Sequence, residues 1–162
     1  MLEKLHHVAY RCNDAQETVD FYTRAIGLKF AKGIIQDLVP SIQKVEPHIH
    51  IFFELFDGSF VAFFDVAEEN MNVSDIKKDW AQHLALEIAS DKIDELLASL
   101  KKHSVDYVGP IDHGICQSYY FYDPNGHRLE AAVRTDSAEI WRASAEEAYP
   151  ILEEWSKIKA AL

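Results

Sequence analysis

Cysteine is scarce in this 162-residue chain: only Cys12 and Cys116 are present. One possible pair cannot be the framework of a disulfide-built scaffold, so both are expected as free thiols in a reducing compartment. Positive charge is scarce too, with 16 Lys and Arg against 27 Asp and Glu and a formal charge of −11. No basic stripe offsets that balance, which excludes nucleic acid and anionic membrane surfaces as partners. No uninterrupted apolar run approaches the roughly 18 residues of a spanning helix, and Met1-Leu2-Glu3-Lys4-Leu5 lacks the basic and apolar regions of a secretory leader. A soluble, cytoplasmic protein is expected.

What is present is a repeat. Leu5-His6-His7-Val8-Ala9-Tyr10 and Ala81-Gln82-His83-Leu84-Ala85-Leu86 read as two strands, each entered through a histidine. After the first, Asp14-Ala15-Gln16-Glu17 has the acceptor and glutamate spacing of a helix N-terminus. Ala15, Val19, Tyr22 and Ile26, flanked by Phe21 and Ala25, then make one helical face that stops at Gly27. After the second, Ser90 is a cap, Ile93, Leu96, Leu97 and Leu100 form the face, and Lys101 and Lys102 lie near the helix's negative end.

Strand-like runs follow each helix. They are expected at 29–34, 49–56 and 59–66 in the first copy, and at 107–108, 117–122 and 127–133 in the second. Asp57-Gly58 and Asn125-Gly126 are the matching hairpin signals. With 48% hydrophobic content the chain can bury one core but is short for two independent domains. The expected organisation is module one at 1–66, a linker at 67–79, module two at 80–135, and a C-terminal extension at 136–162. That extension carries Ile140, Trp141, Tyr149, Leu152, Trp155 and Ile158, and reads as amphipathic helix broken at Pro150. His127, just past its turn, is expected to face solvent.

Two imidazoles and a carboxylate, the last from Asp123-Pro124-Asn125-Gly126-His127-Arg128-Leu129-Glu130, suit a divalent metal with open coordination positions. Together with His6-His7-Val8-Ala9-Tyr10, Asp20-Phe21-Tyr22 through Gly27-Leu28, and Gln82-His83-Leu84-Ala85-Leu86, these phrases resemble the vicinal oxygen chelate superfamily over residues 4–133. That superfamily includes glyoxalase I, extradiol dioxygenases and fosfomycin-resistance enzymes. The resemblance implies an α+β fold of two βαβββ modules whose curved mixed sheets form a metal-binding cup. It also implies one divalent metal per chain on His7, His83 and Glu130, with Fe(II) favoured over Mn(II), Zn, Ni or Co.

Superposing the hairpins sets Ala62 against Glu130 and Phe52 against Tyr120. An apolar residue thus stands where lactoylglutathione lyases have a fourth ligand. Tyr120, ten residues before Glu130, and His113 upstream resemble the pocket tyrosine and histidine of extradiol dioxygenases, which implies catalytic roles for both. A further pocket histidine of those enzymes has no counterpart in Glu68-Glu69-Asn70-Met71, and His48 or His50 is the available substitute. Strand alternation turns His48, His50, Phe52 and Glu54 to one face, with Phe60, Ala62 and Phe64 on the matching face of the next strand. His50, Phe52, Ala62 and Phe64 are the expected substrate contacts.

The implied activity is a metal-dependent oxidoreductase acting with dioxygen on a small catechol-like chelator. Two other readings stay open: a glyoxalase-type lyase, isomerase or epimerase using the metal as Lewis acid, and a ligand-binding resistance protein. A homodimer is expected, with the C-terminal helical extension as its candidate interface.

Overall fold

The computed structural model describes residues 2–76 and 80–162. The end of the expected linker, Lys77, Lys78 and Asp79, lies outside the described residues. Strand β1 (His7–Cys12) leads to helix α1 (Ala15–Asp20), which a π-helical turn (Phe21–Ala25) continues. Asp14 caps α1 by accepting the Glu17 N–H at 2.8 Å. At the far end Gly27 turns the chain with φ +84, a conformation other residues resist. Thr18, Phe21, Tyr22 and Ala25 are the buried face.

The first sheet is completed by β2 (Lys29–Val39), β3 (Lys44–Glu54) and β4 (Phe60–Val66), in the order β1-β4-β3-β2. Only β1 and β4 run parallel. The β2–β3 hairpin extends past both expected strands, to Val39 and Lys44 at its tip. Residues 35–38 of this arm are exposed on both faces, so burial imposes no alternating pattern there.

After the short helix α2 (Val73–Ile76), the second module repeats the order with β5 (Leu84–Glu87), α3 (Ile93–Lys102), β6 (Tyr107–Asp112), β7 (Cys116–Tyr122) and β8 (Arg128–Arg134). Its sheet order is β5-β8-β7-β6, again with one parallel pair at the β5 edge. Helix α3 starts after Lys92, which offers no side-chain cap, rather than at Ser90. The chain ends in one 23-residue helix, α4 (Ala138–Ala160), which runs through Pro150 unbroken. Pro150 has no N–H and so forfeits one backbone hydrogen bond, in a stretch that is exposed to solvent.

Each sheet has a core face and an open face. Ile51, Phe53, Val61, Phe63, Phe121 and Leu129 are buried with Tyr22 and Leu100, while their alternates point away. The modules are joined at this core. Tyr22 donates its hydroxyl to Asp123 Oδ2 at 3.2 Å, and Asn125 accepts the Asn13 N–H at 3.0 Å while donating to Thr18 Oγ1 at 3.1 Å. Ser99 donates to the Ala25 carbonyl at 2.8 Å. Burial raises the Asp123 carboxyl above its ordinary range, against the donors around it.

His127 is not a surface residue. Its Nε2 donates to the Arg11 carbonyl at 2.7 Å, and its ring lies 4.8 Å from that of Tyr10. The Asn125-Gly126 turn delivers it onto the other module, a neighbour absent from its local sequence.

Among the described residues no strand of one sheet is hydrogen-bonded to the other, so the two mixed sheets form no closed barrel. The α+β architecture of two βαβββ modules is the one expected. Among the described residues no helix is long and apolar enough to cross a membrane.

Candidate metal centre

Parallel pairing of β5 with β8 brings the start of one strand beside the middle of the other. His83 Nε2 lies 2.9 Å from Glu130 Oε2. On the other side of the ring, Nδ1 is 2.9 Å from the Ala81 carbonyl, which only accepts, so Nδ1 carries the hydrogen. Nε2, the other ring nitrogen, is thereby turned to the Glu130 carboxylate. An imidazole nitrogen and a carboxylate oxygen this close are a donor pair that would hold a divalent metal, with Glu130 and His83 as its ligands.

The other carboxylate oxygen is held from below. Ser118, fully buried, donates to Glu130 Oε1 at 2.5 Å, and Cys116 Sγ lies 4.0 Å from the same oxygen. Sequence reasoning missed Ser118, although period two back from Tyr120 puts it on this face. Tyr120 pairs with Glu130 across the strands, and its hydroxyl is 3.0 Å from His113 Nε2. The His83 ring stands edge-on to Tyr120 at 5.9 Å, and the Arg128 guanidinium caps the Tyr120 ring at 4.1 Å. Burial raises the Tyr120 phenol, and the nearby Glu130 charge adds to this against Ser118 and Arg128. His113, Tyr120, His83 and Glu130 thus gather on one open face.

The open face of the first sheet is aromatic. Phe52 pairs with Ala62 as Tyr120 pairs with Glu130, so the two sheets carry these residues in equivalent registers. His50 stacks on Phe64 at 3.7 Å and lies 4.1 Å from the Phe52 ring. Burial, with His7 and His48 adding, pushes the His50 imidazole down to about 4, so it is neutral at pH 7. Its Nε2 is buried without a hydrogen-bond partner. His48 is anchored through Nδ1 to the Glu46 carbonyl at 2.7 Å.

His7 belongs to this aromatic face and not to the His83–Glu130 pair. Its Nδ1 meets that of His6 at 2.8 Å, and its ring neighbours are His50 at 6.1 Å and Phe52 at 5.8 Å. Among the described residues no three His, Cys, Asp or Glu side chains converge in a metal-holding group. One chain gathers two of the three expected donors, with the third on the other sheet.

The sequence profile of the Glyoxalase/Bleomycin resistance protein/Dioxygenase superfamily matches residues 4–131. No curated protein matches the chain. Among solved structures, a glyoxalase/bleomycin resistance protein/dioxygenase domain from Frankia sp. EAN1pec is similar at TM-score 0.69 and 17% identity, covering 83% of this chain and 99% of its own. A glyoxalase/dioxygenase from Nostoc punctiforme aligns at TM-score 0.60 and 24% identity, over 82% of this chain and 92% of its own. A mutant fosfomycin resistance protein FosX from Listeria monocytogenes, complexed with Mn(II) and 1S,2S-dihydroxypropylphosphonic acid, aligns at TM-score 0.59 and 18% identity, over 86% of this chain and 97% of its own.

Proposed function

The chain belongs to the Glyoxalase/Bleomycin resistance protein/Dioxygenase superfamily, and we propose that within it this protein is a metal-dependent oxidoreductase of the extradiol-dioxygenase kind. Its substrate is a small catechol-like chelator, used with dioxygen, and its working unit is a homodimer. The observation that carries the reading is the gathering of His83, Glu130, Tyr120 and His113 on one open sheet face.

His83 and Glu130 supply one imidazole and one carboxylate, and His7 is the remaining ligand. Fe(II), or Mn(II) in its place, suits that donor set and supplies the positive charge that lowers a bound hydroxyl's pKa. This chain's own groups do the rest. Tyr120 hydrogen-bonds a substrate oxygen, and His113, on the Tyr120 hydroxyl at 3.0 Å, gives or takes the proton. Phe52, Ala62 and Phe64 exclude water and seat an aromatic ring, while the unpartnered Nε2 of His50 offers one polar contact within that apolar wall.

His50 also favours a second reading. A neutral imidazole aimed into the cup suits proton transfer without redox chemistry, as in a lyase or isomerase.

The test is the metal content of protein purified without oxygen, beside Glu130→Ala, followed by dioxygen uptake against a catechol panel. Fe or Mn in the native protein, lost in the variant, together with catechol-dependent uptake, supports the oxygenase. Bound Zn, Ni or Co with anaerobic turnover of a 2-oxoaldehyde adduct selects the second reading.

A further inference from the structure

We infer that Arg128 and the cavity it lines form an anion subsite beside the His83–Glu130 pair, and that the substrate carries a carboxylate which is held there. The inference rests on the catechol-like reading above and narrows it to an acidic chelator.

The first ground is a local charge of reversed sign. Between the modules a cavity of about 610 Å³ is walled by Tyr10, Arg11, His83, His127 and Arg128, with Asp75 as its one carboxylate. Two guanidiniums and two imidazoles thus stand together in a chain that has 27 acidic residues against 16 Lys and Arg. A concave wall of one sign concentrates solutes of the other. His83 belongs both to this wall and to the pair with Glu130, so the cavity adjoins the candidate metal centre.

The second ground is how the arginines are partnered. Arg11, Arg24, Arg134 and Arg142 each form an ion pair with a carboxylate. In the cavity wall, Arg11 is fully engaged at its tip, donating to the Glu69 carboxylate at 2.9 Å and to the Glu69 carbonyl at 2.8 Å. Arg128 is the fifth arginine, and among the described residues it has no carboxylate partner. It is held all the same: Nη1 donates to the Trp80 carbonyl, and the guanidinium lies 4.1 Å from the centre of the Tyr120 ring. A carbonyl and a ring face fix the plane of the group while leaving its charge unmatched and further N–H donors to spare. A guanidinium fixed in this way is ready for a carboxylate, which it grips through two parallel hydrogen bonds.

The third ground is placement. Arg128 precedes Glu130 by two residues on one face of β8, about 7 Å along the strand. That is the span of a single substituted ring. Tyr120, the cross-strand partner of Glu130, carries the guanidinium on its own ring. A ring whose oxygens lie at the Glu130 end therefore reaches Arg128 with a substituent on its far edge. A neutral catechol has no use for such a cation, whereas an acidic one entering a chain of charge −11 does.

The experiment compares two ligands that differ at one ring position, 3,4-dihydroxybenzoate with a carboxylate and 4-methylcatechol with a methyl group. Their binding to Mn(II)-loaded native protein, Arg128→Met and Arg128→Lys is measured by calorimetry. Native protein should prefer the dihydroxybenzoate by about 10–100-fold, the scale of one charged hydrogen-bonded pair. Arg128→Met should erase that preference, and Arg128→Lys, which keeps the charge without the fork, should keep part of it. A structural Arg128 would weaken both ligands alike and leave their ratio unchanged, which overturns the inference. Native protein without the preference overturns it equally. Should neither catechol bind, the catechol reading fails, and benzoate, which cannot chelate, then decides the subsite alone by ligand-observed NMR on metal-free protein. Benzoate bound by native protein and lost in Arg128→Met upholds the subsite; benzoate unbound, or bound equally by both, overturns it. If circular dichroism shows Arg128→Met unfolded, Arg128→Gln replaces it in the same design.

Discussion

Ser118 donates its hydroxyl to Glu130 at 2.5 Å from the next strand, and both side chains are buried. One carboxylate oxygen is thereby occupied, which turns the other towards His83 at 2.9 Å. Ser118→Ala should leave the fold intact but weaken Mn(II) or Fe(II) affinity by about 10–100-fold, the usual cost of losing a group that orients a ligand. Titration of metal-free protein checks this. Unchanged affinity would make the hydroxyl a packing feature only.

His113 and Tyr120 act as a pair through a 3.0 Å hydrogen bond. His113→Ala and Tyr120→Phe should each slow turnover by about 10²–10⁴-fold with metal content unchanged. Because they share one bond, the double variant should be little slower than either single one. Steady-state rates on any accepted substrate, measured alongside metal analysis, decide it.

Asn125 is a structural clasp. Asn125→Ala removes the acceptor of the Asn13 N–H and the donor to Thr18, both in the interior. Unmade buried hydrogen bonds cost about 1–3 kcal/mol each, so a loss of roughly 2–4 kcal/mol is expected in denaturant unfolding. Asn125→Asp keeps an acceptor but sets a second carboxylate beside Asp123, whose Oδ2 is 3.4 Å from the amide nitrogen it replaces. That variant should regain stability as pH falls and the pair takes up a proton.

Cys12 predicts an alkaline limit. Burial lifts its thiol from an ordinary 9.0 to about 11, only partly opposed by Thr18. The unfolded chain releases this proton near pH 9 and the folded chain near 11. The thiol's contribution is thus whole below 9 and lost as pH rises to 11, on the order of 2 kcal/mol. Cys12→Ala should flatten the stability profile over that window, and Cys116, which is half-buried, should be the thiol that alkylates in the native protein.

Local physics made much of this protein legible from its residues. The Asp14 cap, the Tyr22 face and the two turn dipeptides act within a few positions, and strand alternation carried the equivalence of Ala62 with Glu130 and of Phe52 with Tyr120, which the strand registers bear out. Where the open β2–β3 arm has no buried side to enforce alternation, its length was not readable. Pro150 did not break α4: the lost N–H and the ring's crowding of the preceding turn are local costs, and the helix runs on through them.

Repetition, strand pattern and the identity of the chemical groups were determined by the sequence by itself. How the two modules meet was decided by tertiary structure alone, because contacts such as Tyr22 with Asp123 and His127 with Arg11 join residues about a hundred positions apart and leave no local period. That docking turns His127 inward and packs the modules back to back through their helical sides. It also leaves His7 on a different face from His83 and Glu130, a separation that two strand motifs in one sequence cannot express.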